Sequence, residues 1–230
     1  YHRVDTVSND ERLLVVTPSV FESHLIFLKE RYEVIALPEL VSRLQNKQLT
    51  GREAVITFDD DYLDNLTNAL PLLEKYQLPA TIFVTTGFLG EVSNLPWDSE
   101  YKIPADNPTF LIPLELILLS GNPLITIGAH SVTHPRLSEL ANNDQATEIL
   151  ESKYALETIL NNPISLFAYP FGGVFDYNQE TIEGVRKAGF VAACATIPKL
   201  VTYKSALFEL PRINIRNYPV RTLRKNLFSK

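Results

Sequence analysis

Ala54-Val-Ile-Thr-Phe-Asp-Asp-Asp-Tyr62 is the stretch on which the reading of this 230-residue chain turns. Val55 to Phe58 is apolar and β-branched and reads as a buried strand, which runs straight into Asp59, Asp60 and Asp61. Three adjacent carboxylates repel one another, and strand packing gives no reason to place them there. One explanation is a helix N-terminus, where acids accept from free amides and complement the dipole. The other is a metal ligand beside a general base, which requires histidines from elsewhere in the chain.

The chain has four histidines: His2, His24, His130 and His134. His24 lies inside a helical stripe formed by Phe21, Leu25 and Leu28 and reads as a surface or packing residue. His130 and His134 follow an apolar strand, Leu124 to Ile127, through Gly128-Ala129. Pro135 biases His134 away from helical geometry, so the pair reads as a strand-end loop rather than one face of a helix. Two solvated loop histidines would fit that spacing as well. The pair and the acid cluster, however, both follow strand ends, and in an α/β barrel such ends converge on one face.

Two imidazoles and one carboxylate make a three-ligand set that leaves positions open for water and substrate. A bound ion lowers the pKa of its water, and a second carboxylate can then accept the proton as that water attacks. A departing amine needs a proton in turn, and His2, on a strand-end fragment of its own, is the remaining histidine able to stand at that face. Tyr169-Pro-Phe-Gly-Gly173 follows a third strand. Its composition accounts for a turn, but it also suits an aromatic-walled groove, which makes Tyr169, Pro170, Phe171 and Gly172 candidate substrate contacts. Trp97, in a long loop, is either a loop anchor or a sugar-stacking platform.

Around these motifs the chain alternates. Helices are expected after Thr17-Pro18, from Pro38 to Leu44, from Leu66 to Tyr76, from Leu114 to Leu119, from Ser138 onward, from Glu180 to Ala188 and after Pro219. Strands are expected over 32–37, 55–58, 80–85, 124–127, 164–168, 190–195 and 208–215, with an irregular stretch over 87–113. About seven strands alternating with helices predict a parallel α/β arrangement, and no linker divides the chain, so residues 1–230 read as one domain.

The balance of 21 basic and 27 acidic residues excludes a non-specific nucleic-acid binder. A single cysteine excludes a disulfide framework and a Cys-type zinc site. No apolar run is long enough to cross a bilayer. A chain that opens on Tyr1 and contains no methionine reads as a trimmed piece, from which a targeting segment could have been removed.

Thr57-Phe-Asp-Asp-Asp61 and His130-Ser-Val-Thr-His134 resemble the first two motifs of the polysaccharide deacetylase family, the NodB-homology or carbohydrate esterase 4 group. Gly128 to Ser138, Leu78-Pro-Ala-Thr-Ile-Phe-Val84 and Phe167-Ala-Tyr-Pro-Phe-Gly172 resemble family segments in the family's order. The resemblance implies a distorted (β/α)7 barrel and a divalent metal, zinc first, with nickel, cobalt or iron also in use, held by Asp60, His130 and His134. It implies Asp59 as catalytic base and hydrolysis of N-acetyl groups on an N-acetylglucosamine polymer, a substrate class found outside the cytoplasm.

Three departures stand out. Asp61 replaces the family's glycine and is expected to raise the pKa of the base. Ala168 stands where the third motif supplies an arginine that orients the base. No histidine follows residue 134 to serve as the late general acid. Tyr1-His-Arg-Val4 resembles the opening of the poly-β-1,6-N-acetylglucosamine de-N-acetylases, in which the barrel is circularly permuted and that early histidine is the general acid; this gives the role to His2. Arg212, in Leu210-Pro-Arg-Ile213, is the candidate to fill the gap at Ala168. Alternatives are an amidase or deformylase acting on a small or lipid-linked amino sugar, and a carbohydrate-binding derivative without catalysis.

Overall fold

The computed structural model describes residues 1–7, 10, 12–90 and 110–228. In chain order the elements are β1 (Arg3–Val4), β2 (Val15–Val16), α1 (Pro18–Arg31), β3 (Glu33–Val34), α2 (Leu37–Gln45), β4 (Glu53–Ala54) and β5 (Ile56–Asp59). There follow α3 (Leu70–Tyr76), β6 (Ala80–Val84), α4 (Pro113–Ser120), β7 (Ile125–Ala129), α5 (Asn142–Leu160), β8 (Leu166–Ala168), α6 (Gln179–Lys187), β9 (Ala192–Cys194) and α7 (Val220–Phe228).

The strands β5 to β9 form one curled parallel sheet in sequence order, while β1 pairs with β2 and β3 with β4 in two small parallel pairs. The α/β alternation is therefore present, but five of the nine described strands share the sheet. Register aligns Asp59 with Phe83, Val84 with Ala129 and Ala168 with Cys194, so these strands reach one edge together. Whatever follows them is delivered to a common face.

Side chains alternate across the sheet, as a period of two requires. Phe58, Ile82, Ile127, Phe167 and Ala193 join the core under the helices α1 and α3 to α6. Phe83, Leu166, Ala168 and Cys194 face the other way, onto Ile35, Leu210 and the apolar side of α2, Leu37, Leu40, Val41 and Leu44. β6 is buried along its whole length because both of its faces are covered.

Some boundaries differ from expectation for local reasons. Residues 208–215 do not form a strand: Leu207–Glu209 is a 3-10 turn, and one parallel bridge joins Cys194 to Leu210 before Pro211 removes the next donor. The helix expected from Ser138 starts at Asn142, because the Ser138 hydroxyl donates to the Phe175 carbonyl and its N–H to that of Asp176. The helix expected from Leu66 begins as a π-turn over Asn65–Ala69, whose Asn65 and Asn68 amides donate to the carbonyls of His2 and Val4. His24 is buried, hydrogen-bonded to the Tyr218 carbonyl at 2.8 Å, and belongs to the core.

Candidate active site

The acid cluster sits where β5 stops. Asp59 ends the strand, and Asp60 and Asp61 then take left-handed backbone angles, φ 72° and 39°. For residues with a Cβ this costs about 1–2 kcal/mol each, and it sends three consecutive carboxylates in three directions. Asp59 accepts from Arg212 and Asp61 from the Thr85 N–H, not from the first turn of an α-helix.

Asp59 turns to Arg212. The guanidinium donates from one terminal nitrogen to Oδ1 at 2.7 Å and from the other to Oδ2 at 2.8 Å, a two-pronged pair that fixes the carboxylate plane. Arg212 is held by the Ala195 carbonyl at 3.2 Å and the Thr57 hydroxyl at 3.2 Å. Burial pushes the Asp59 pKa up, but the charge of Arg212 and its two hydrogen bonds outweigh it and hold the group well below the usual carboxylate range. The sequence leads one to expect Asp61 to raise this pKa; the net shift is downward, and its direction is set by Arg212.

Asp61 is shifted the other way. Burial pushes it up to about 8, opposed by the Thr85 N–H, which donates to its Oδ1 at 2.8 Å. It is an internal cap on the end of β6.

Asp60 points between the histidines. Its Oδ1 lies 3.5 Å from His130 Nε2 and 3.3 Å from His134 Nε2, and all three residues are buried. The His130 Nδ1–H donates to the Ala168 carbonyl at 2.8 Å, which leaves the lone pair on Nε2, the atom facing Asp60. Burial lowers both imidazole pKa values, so both rings are neutral. One carboxylate and two neutral imidazoles with converging lone pairs suit a divalent ion: ligands about 2.1 Å from one tetrahedral centre stand roughly 3.4 Å apart. The residues fit the group.

The loop carrying the histidines is itself bent. Ser131 and His134 adopt φ 65° and 55°, and the His134 N–H donates to the Ser131 hydroxyl at 3.0 Å. Phe171 packs edge-on against His134 with ring centroids 4.7 Å apart, and Arg136 lies over the phenyl ring, 4.4 Å from its centroid.

A cavity of about 490 Å³ is lined by His2, Arg12, Leu14, Asp59, Asp60, His130, His134, Phe171, Thr196 and Asn214. His2 thus shares a wall with Asp59 and the cluster. Burial lowers its pKa to about 3 against the pull of Asp59, so the ring is neutral in the free protein.

Of the turn after β8, Phe171 alone lines this cavity. Tyr169 is fully buried, stacked on Tyr177 at 4.1 Å and donating its hydroxyl to the Phe208 carbonyl, so it is a core residue rather than a groove wall. Pro170 and Gly172 are buried too, and Gly172 (φ 72°) lies where a Cβ would meet Thr196 at 2.7 Å. Trp97 lies outside the described residues. Arg12, Leu14, Thr196 and Asn214 were not singled out in the sequence; they are isolated loop residues without a motif, and the cavity alone marks them.

Residues 46–193 match the family described as polysaccharide deacetylase. The chain belongs to the polysaccharide deacetylase family. It is accordingly a hydrolase of the carbohydrate de-N-acetylase class. Among curated relatives of this deacetylase, YxkH of Bacillus subtilis (strain 168) is 26% identical over 217 residues, which span 94% of this chain and 69% of the relative. The poly-beta-1,6-N-acetyl-D-glucosamine N-deacetylase of Staphylococcus aureus (strain MSSA476) is 28% identical over 207 residues, 87% of this chain and 67% of the relative. Among solved structures, the Streptococcus pyogenes deacetylase PplD in complex with acetate superposes with a TM-score of 0.82 at 26% identity, covering 99% of this chain and 95% of that one.

Proposed function

We propose that this deacetylase removes N-acetyl groups from an N-acetylglucosamine-type polysaccharide, with a divalent ion, zinc first, held by Asp60, His130 and His134. The observation that carries the reading is that Asp59, paired with Arg212, shares one cavity with the Asp/His/His cluster and His2. The Staphylococcus aureus relative supports the substrate class through the polymer in its name.

Such an ion supplies Lewis acidity, lowering the pKa of water and polarising an amide carbonyl. The chain supplies the proton management. Asp59, kept ionised and oriented by Arg212, accepts the proton of the attacking water. His2, across the same cavity, delivers a proton to the departing amine. Buried and neutral, it holds no spare proton, so the proton that Asp59 takes from water is the one that must reach it before the amine departs. Phe171 forms an apolar wall beside His134, suited to one face of a sugar ring.

Residues 1–230 are read as one domain, a seven-unit barrel with permuted strand order. Support comes from the Tyr1 carbonyl, which accepts the Asp59 N–H at 3.1 Å and so lays the start of the chain along β5.

The test is acetate release from poly-β-1,6-N-acetylglucosamine oligomers, run together with elemental analysis of the protein. Wild type is expected to carry about one equivalent of metal and release acetate. Asp59→Asn should keep the metal and lose at least about 10²-fold in turnover. Full activity in Asp59→Asn would sink the mechanism.

A further inference from the structure

The backbone between the two histidines is held from behind by a residue that no motif includes. Glu148, on the second turn of α5, accepts the N–H groups of Val132 at 2.8 Å and Thr133 at 2.9 Å on Oε2, and the Thr133 hydroxyl at 2.6 Å on Oε1. We propose that Glu148 is a positioning residue for the site: it clamps the loop Ser131–Thr133 so that His130 and His134 converge on Asp60. The proposal rests on reading those three residues as the metal-binding set.

The geometry argues for a clamp rather than an incidental surface contact. Ser131 and His134 hold left-handed backbone angles, and strained angles in residues with a Cβ persist only where the surroundings over-determine them. Here the surroundings act on both sides of the peptide groups. The Ser131 and Val132 carbonyls accept from the N–H groups of Thr86 at 3.2 Å and Gly87 at 2.8 Å, at the exit of β6. Gly87 comes so close that a Cβ there would stand 2.5 Å from the Val132 oxygen. The carbonyls are thus fixed from the β6 side, and the matching N–H groups are fixed by Glu148.

Removing the carboxylate would hand two amides and a hydroxyl to separate waters in place of one bridging group, which unties the loop from α5 and frees it to move. His130 is tied to β7 and to the Ala168 carbonyl. The movement therefore falls mainly on His134, which would swing away from Asp60.

The experiment compares metal-free wild type, Glu148→Ala, Glu148→Gln and Glu151→Ala, an exposed position on the same helix. Zinc chloride is titrated calorimetrically into each, and amide hydrogen exchange is followed at Val132 and Thr133. Glu148→Ala is expected to weaken zinc binding about 10- to 100-fold and to speed exchange at both amides. Glu148→Gln, which keeps an acceptor oxygen, should restore most of both, and Glu151→Ala should match wild type.

A folded Glu148→Ala that binds zinc like wild type, with only its melting temperature lowered, would make Glu148 merely structural and overturn the proposal. Unchanged exchange at Val132 and Thr133 would overturn it equally. If wild type itself takes up no zinc, the metal reading falls, while the exchange comparison still decides whether Glu148 holds the loop.

Discussion

At the scale of single residues, the site depends on three neighbouring acids being given three environments. The sequence made the crowding of Asp59, Asp60 and Asp61 plain, and the histidine spacing made a shared address plausible. Side-chain direction was not legible, because it follows from two left-handed backbone angles that aspartate tolerates but does not announce.

Arg212 is the test of how far the residue reading reaches. Arg212→Ala leaves a buried carboxylate unpaired and free to rotate, so kcat on the oligomeric substrate is expected to fall about 10²-fold or more. Unchanged kcat in a folded variant, by circular dichroism, would remove Arg212 from the site.

Asp61 gives a second prediction. Asp61→Asn keeps an acceptor for the Thr85 N–H and should unfold in urea within about 1 kcal/mol of wild type. Asp61→Ala orphans that buried donor and should cost about 1–3 kcal/mol. Equal stability of the two variants would show that the cap contributes nothing.

At the scale of elements, the strands that carry the site were the most legible part of the chain. Ala80–Val84 and Ile125–Ala129 are short apolar runs bounded by turn residues, and each emerged within two residues of its expected position. The stretch 208–215 has the same apolar look and failed as a strand. Its Pro211 interrupts the ladder, and what the segment contributes is a cation aimed inward rather than backbone pairing. Tyr169 failed as a groove residue for a related reason: strand alternation continues one residue past the end of β8 and buries it.

Close packing between strands sets its own limit. Gly128 of β7 faces the Phe83 ring of β6 so tightly that a Cβ would lie 2.5 Å from it. Gly128→Ala should therefore destabilise by about 1–3 kcal/mol, which is read as a drop in melting temperature of roughly 2–4 °C per kcal/mol for a chain of this size. A melting temperature equal to wild type would mean that the strands separate more easily than their contacts indicate.

At the scale of the whole molecule, acid stability has an identifiable contributor that does not line the cavity. Glu53 opens β4 with a side chain 4% exposed. Burial raises its pKa, but the Thr50 and Gly51 N–H groups and the Thr50 hydroxyl reverse this and bring it down to about 2. A folded-state value below the ordinary 4.5 means the stabilisation is full above pH 4.5 and is lost as pH falls toward 2. Glu53→Gln should accordingly be less stable than wild type at pH 7, with the gap closing between about pH 4.5 and 2 in denaturant titrations. A gap that persists at pH 2 would assign the loss to shape rather than charge.

The pairing of Asp59 with Arg212 also spans 153 positions of sequence, while His2 reaches the same cavity from the opposite end of the chain. Synthesis on the ribosome therefore brings out every candidate metal ligand some eighty residues before the arginine that orients the base. A nascent or proteolytically shortened chain ending before Arg212 would contain Asp60, His130 and His134 and yet lack the partner of Asp59. On the proposed reading, the residues for holding a cation and those for turning over substrate would thus be completed at different moments in the life of the polypeptide.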